Sequence, residues 1–148
     1  MKKIEELVEL LESGAGLAGT MLDILKAQQQ AIVQFQSAAL VDLLLKQQAV
    51  MKPMEVVEKK RQELTAEIGR SNGALSDTLS ITELTRVLEL EDAARIRSCG
   101  DRLHGIVEQV LKINTQNKVL LENSLRFIQR NLKIITSDYS RQLVDAKM

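Results

Sequence analysis

Proline, histidine, cysteine and aromatic residues are nearly missing from this 148-residue chain, which has one Pro, one His, one Cys, one Tyr, two Phe and no Trp. Each scarcity closes off a class of protein. One cysteine cannot form a disulfide within the chain, and one Cys with one His falls short of the four N/S ligands of a structural zinc site. His104 stands alone beside Gly105, where a boundary or solvent-facing place outweighs the role of a general base. Cys99 falls on an apolar stripe, where a free cysteine behaves as a small hydrophobe. Charge of one sign is also lacking, since 20 Lys+Arg balance 20 Asp+Glu, and this disfavours nucleic acid or an anionic lipid surface as partner. No apolar run approaches the roughly 18 residues of a membrane helix. Ala38-Ala39-Leu40-Val41 and Leu43-Leu44-Leu45 are cut by Asp42 and Lys46, and Met1-Lys2-Lys3-Ile4-Glu5-Glu6 leads into no apolar signal segment. We expect a cytoplasmic chain with no membrane insertion.

What remains is 45% hydrophobic, rich in Leu, Gln, Glu, Lys and Ala, with apolar residues stepping by three and four and never alternating. The expected class is all-α, an elongated antiparallel helical bundle or coiled coil in a single domain spanning 1–148. Its helices are expected over about 4–34, 38–68, 80–88 and 92–136, followed by a flexible tail over about 137–148. In the first helix Gly14, Gly16 and Gly19 each cost about 1 kcal/mol relative to Ala, so its N-terminal third should be soft. No Gly-Lys-Ser/Thr follows a strand there, so these glycines form no phosphate loop. Ser37 is expected to cap the second helix, Pro53 to kink it near Met51 without breaking it, and Gly69 to Gly73 to end it in a loop. The short Gln28-Gln29-Gln30 and Gln47-Gln48 tracts read as solvated faces. Ser80 and Glu83 have capping-box spacing. Glu89, Glu91 and Asp92 fall at the start of the last helix, where carboxylates complement the dipole, and no Glu-x-x-His metal motif accompanies them.

The last helix carries an apolar surplus. Leu121, Leu125, Ile128, Leu132 and Ile135 form one seam, and Leu120, Phe127 and Ile134 form another rotated away from it. Either the first two helices clasp this helix from both sides, or a face stays open to an amphipathic helix of another chain. Arg126, Arg130, Lys133, Arg141 and Lys147 oppose only Asp138 and Asp145, whereas the first residues are acid-rich, a polarity that suits antiparallel pairing or steering of a partner.

The segment Ile113-Asn114-Thr115-Gln116-Asn117-Lys118-Val119-Leu120-Leu121-Glu122-Asn123-Ser124-Leu125-Arg126-Phe127-Ile128 resembles the C-terminal helix signature of the FlgN-type flagellar export chaperones. The pattern is Asn-x-x-Asn-x-x-Leu-Leu followed by Ser-Leu-x-aromatic-Ile. The order and length of the expected helices are similar to that family across nearly the whole chain. The resemblance implies a cytoplasmic chaperone of flagellar type III export that binds terminal helices of hook-associated, hook–filament junction proteins and delivers them to the export apparatus. It implies no catalysis and no cofactor or metal. The residues that match a cargo-binding face are Leu121, Leu125, Phe127, Ile128, Leu132 and Ile135, with Arg126 and Arg130 at its rim. Asn114 and Asn117 fit hydrogen bonds that fix helix register within the bundle. Tyr139 is similar in placement to a family tyrosine that docks to the export gate; a tail aromatic folded back on the bundle is the other reading. A structural coiled-coil protein that homodimerises through its last helix also fits the apolar pattern, and a carboxylate-metal helical bundle fits it less well.

Overall fold

The computed structural model describes residues 2–74 and 79–147, with side chains at all of these except 139, 140 and 142–147. Among the described residues there is no strand. Four helices follow one another: α1 (Lys2–Val33), α2 (Ser37–Ser71), α3 (Ile81–Thr85) and α4 (Leu90–Lys147). The all-α reading of the sequence therefore holds.

Ile4, Leu7 and Leu11 recur at helical spacing on α1 and meet Leu64 and Ile68 of α2, Leu84 of α3 and Ile96 of α4 in one buried cluster. Burying a side chain of this size contributes about 1.5–3 kcal/mol each, which fixes this end of the molecule. Three contacts set the direction of α4: Glu5 pairs with Arg95, Leu103 lies against Gly14, and Asn117 reaches Leu25. Both numbers rise together, so α1 and α4 are parallel. On the other flank Lys3 pairs with Glu67 and Gln28 with Gln47, so α2 runs antiparallel to α1. Both long helices pack on α1, and among the described residues α2 and α4 do not pack on each other. The core is thus a layer with α1 in the middle, and α3 closes one end.

The parallel pairing corrects an expectation from charge. The acidic start of α1 sits beside the start of α4, and the basic stretch beginning at Arg126 lies about 46 Å further along that helix at 1.5 Å per residue. The two do not pair within one chain.

The corners differ from expectation for reasons of backbone geometry. Ser37 does not cap α2: the cap position is Gln36, with no side-chain hydrogen bond. Instead α1 ends with Phe35 in the left-handed region, φ 55°, while the Gln36 N–H donates back to the Ala31 carbonyl at 2.9 Å, a Schellman closure that needs no hydroxyl. The same closure ends α2, where Ala74 N–H donates to Gly69 O at 2.9 Å and Gly73 takes φ 85°. Gly73, not Gly69, supplies the left-handed residue. Gly69 lies inside the helix, where an added Cβ would meet the Leu79 side chain. α2 passes Pro53 without a break. Ser80 accepts from the Glu83 N–H at 3.1 Å, as the capping-box spacing requires.

Three further expectations are overturned. The N-terminal third of α1 is helical throughout, held from both flanks by packing, which outweighs the propensity cost of its glycines. Gln28 is buried, not solvated, and donates to Gln47 Oε1 at 2.7 Å. The last helix begins at Leu90 and does not stop at 136; its backbone continues to Lys147, so the expected tail over 137–147 is helical. Thr136-Ser137-Asp138 fails as a stop because the Thr136 hydroxyl donates to the Leu132 carbonyl at 2.7 Å, an interaction compatible with helix, and neither Gly nor Pro follows.

Candidate interaction surface

Along α4 the side that faces α1 is marked by Ile96, Leu103, Val110, Asn117 and Ser124, all buried or half-buried at steps of seven. Asn117 sits in this seam at 5% exposure and donates its side-chain amide to the Leu25 carbonyl at 2.8 Å. Asn114 is exposed, so only one of the two expected register residues is placed to act. The seam ends where α1 ends. There Phe127 meets Phe35 of the α1–α2 corner, ring centroids 6.4 Å apart and tilted by 43°, within the favourable range for aromatic pairs.

From Leu125 to Asp138 every residue is exposed. The apolar ones include Leu125 at 52%, Ile128 at 43%, Leu132 at 58% and Ile135 at 63%. Leu121 and Phe127 are exposed as well, and Arg126 and Arg130 flank them. The structure thus leaves all eight residues that the sequence singles out exposed, Leu121 to Phe127 beside the last turns of α1 and the others beyond its end. The first two helices do not clasp it from both sides: the chain turns from α1 into α2 at Phe35, and among the described residues none covers α4 beyond that corner. Ile134, at 59% exposure, belongs to the same uncovered length. Tyr139 falls within the α4 backbone, and its side chain lies outside the described residues.

A second feature, which sequence reasoning missed, lies near the other end. Because α2 and α4 stand apart on either side of α1, they leave a cleft of about 730 Å³ over Gly14 and Ala18. Val57 and Met54 form the α2 wall, and Leu103 and Val107 the α4 wall. Its rim carries Glu55, Glu58, Arg61 and Asp101. Arg61 donates to both carboxylate oxygens of Glu58 at 2.8 and 2.7 Å, and this paired hydrogen bond holds the Glu58 carboxyl below its ordinary range, opposed by partial burial. The only sequence signal for the cleft is the run of small residues Gly14, Ala15 and Ala18 on the buried stripe, which reads equally as local softness.

Chemistry-bearing groups are dispersed. His104 is exposed and pairs with Glu108 at 2.9 Å, and Cys99 packs at the edge of the core. Among the described residues no three His, Cys, Asp or Glu side chains are grouped as metal ligands would be. No helix there is long and apolar enough to cross a membrane.

A helical layer with an exposed apolar stretch of α4 extending from it defines an all-α scaffold. The profile of the family described as FlgN protein matches residues 1–143, so the chain belongs to the FlgN family. That is a family of chaperones, not of enzymes, and its members serve in flagellum assembly; the general role of flagellar export chaperone follows for this chain. No curated protein and no solved structure matches it.

Proposed function

We propose that the chain is a cytoplasmic export chaperone whose uncovered length of α4 binds the terminal helices of flagellar hook-associated, hook–filament junction proteins. It holds them from polymerising early and hands them to the type III export apparatus. The observation that supports this reading is the run of exposed apolar side chains from Leu121 to Ile135, which begins beside the last turns of α1 and, among the described residues, continues past the Phe35 corner uncovered. An amphipathic cargo helix loses its exposed apolar stripe by lying on such a face, and the ordering of the cargo is offset by that burial. Arg126 and Arg130 at the rim orient an acidic flank of the cargo.

Light scattering of the chain alone and mixed with a peptide from the C-terminal helix of a junction protein tests this. A one-to-one complex with a gain in helical circular dichroism is the expected result; a chain indifferent to the peptide sinks the reading. Tyr139 is proposed to dock to the export gate, so Tyr139→Ala should bind cargo normally and export it poorly.

A further inference from the structure

The cleft and the uncovered helix are both apolar and both unpartnered, and they lie on one helix. Val107 lines the α4 wall of the cleft, and Leu125 is exposed on the distal part. They are 18 residues apart, five whole turns at about 3.6 residues per turn, so they face the same way. Leu132 shares that face, while Ile128 and Ile135 continue the neighbouring stripe that nearer the core rests on α1. α4 is unbroken between these points, so the distal part lies about 27 Å beyond its own cleft and cannot fold into it.

We infer that the cleft is filled by the distal part of α4 from a second copy of this chain, reciprocally, in an antiparallel two-fold dimer. Laying Val107 opposite Leu125 of the second copy lays Leu125 opposite Val107, so one register serves both contacts and closes the assembly. The two-fold axis then crosses α4 at the level of Gln116, on the face opposite that side chain, which pairs with Gln29 of α1. The same register brings Leu132 to the level of Gly100, against Ile81 of α3, which packs on that glycine, and brings Arg130 within a turn of Asp101. Leu125, Ile128 and Leu132 span about 10 Å along the helix, and so do the walls from Met54 to Arg61 and from Gly100 to Val107. Charge agrees: the 125–135 stretch has Arg126, Arg130 and Lys133 and no acid, while Glu55, Glu58 and Asp101 outnumber Arg61 at the cleft. The acidic and basic ends that cannot pair within one chain pair between two. Under the cargo reading above, cargo and a second copy compete for the same side chains, but the dimer contact itself does not depend on that reading.

The test uses the full chain with Cys99 replaced by Ser, without cargo. Chains carrying Val107→Cys and chains carrying Leu125→Cys are mixed and treated with a short thiol cross-linker, and wild-type self-association is followed by sedimentation at low and high salt. Mixed 107–125 cross-links, a dimer weakened by salt, and about tenfold or greater weakening by Leu132→Asp are expected. Leu132 is exposed, so that variant folds whatever happens at the cleft. A monomer at every concentration overturns the proposal, as does cross-linking of Leu125→Cys chains chiefly with themselves, which would mark a parallel pairing of the distal parts. Loss of junction-peptide binding by a monomeric Val107→Asp chain would seat cargo in the cleft and also overturn it. A monomer that binds the peptide normally leaves the cargo reading intact.

Discussion

Asn117 of α4 donates to the backbone carbonyl of Leu25 in the C-terminal half of α1 while its own Oδ1 stays buried without a partner. The Leu25 carbonyl has a second lone pair for its intrahelical bond, so it is not orphaned if Asn117 is removed. The amide therefore sets register more than it adds stability. Asn117→Ala, which opens a hole and deletes the hydrogen bond, should cost about 1–3 kcal/mol in urea unfolding. Asn117→Leu, which also removes the unsatisfied oxygen, should be near neutral or stabilising, and a large loss from it would contradict this account.

Two helical glycines on the same chain should respond differently. Gly69→Ala drives a Cβ into the Leu79 δ-methyl, which must swing aside, so it should gain less stability than Gly16→Ala. Gly16 has open space around its missing side chain, so Gly16→Ala should raise stability by about 0.5–1 kcal/mol through helix propensity alone. Thermal melts of the two variants side by side decide it.

The uncovered length of α4 should be separable from folding. Leu125→Asp with Ile128→Asp changes two exposed residues and should leave the unfolding free energy within about 0.5 kcal/mol of wild type while abolishing binding of the junction-protein peptide. Ile96→Ala, at a fully buried position of the same helix, should cost about 2–5 kcal/mol. Comparable destabilisation by both would mean that the distal seam is part of the core.

The Glu58–Arg61 pair should impart a pH dependence. The carboxyl is held low in the folded chain by Arg61, so its contribution is present above the ordinary carboxylate range and is lost as pH falls and Glu58 is protonated. Half of the Glu58 side chain is in solvent, which limits the effect to about 0.5 kcal/mol. Wild type minus Glu58→Gln should show that loss on acidification, and no difference between them at any pH would remove the pair from the account.

The helices could be read from the sequence because stripes such as Ile96, Leu103 and Val110 repeat at a period that only a helix satisfies, and the uncovered seam because Leu120 to Ile135 hold more apolar residues than one neighbour can cover. Its exposure was not legible: that depends on where α1 turns back, and the turn is made by a phenylalanine in a left-handed conformation that nothing in the Phe35 neighbourhood announces. Ser37 offered a capping hydroxyl that the Schellman closure made unnecessary. Thr136-Ser137-Asp138 carried residues that end helices when they compete for backbone groups, yet Thr136 turned its hydroxyl onto its own helix. The cleft needed three segments far apart in sequence, with Gly14, Val57 and Leu103 at one place, and such coincidence leaves no local trace.

α4 joins the packed core to its uncovered far end with no hinge between. Ile96, held in the core, and Ile135, in solvent, are about 58 Å apart along one continuous rod. Whatever is gripped at the tip is carried at arm's length from the body, at a fixed bearing and with a known twist. On the reading proposed above, a partner held at the tip stands clear of the core, at a bearing that the helix alone sets.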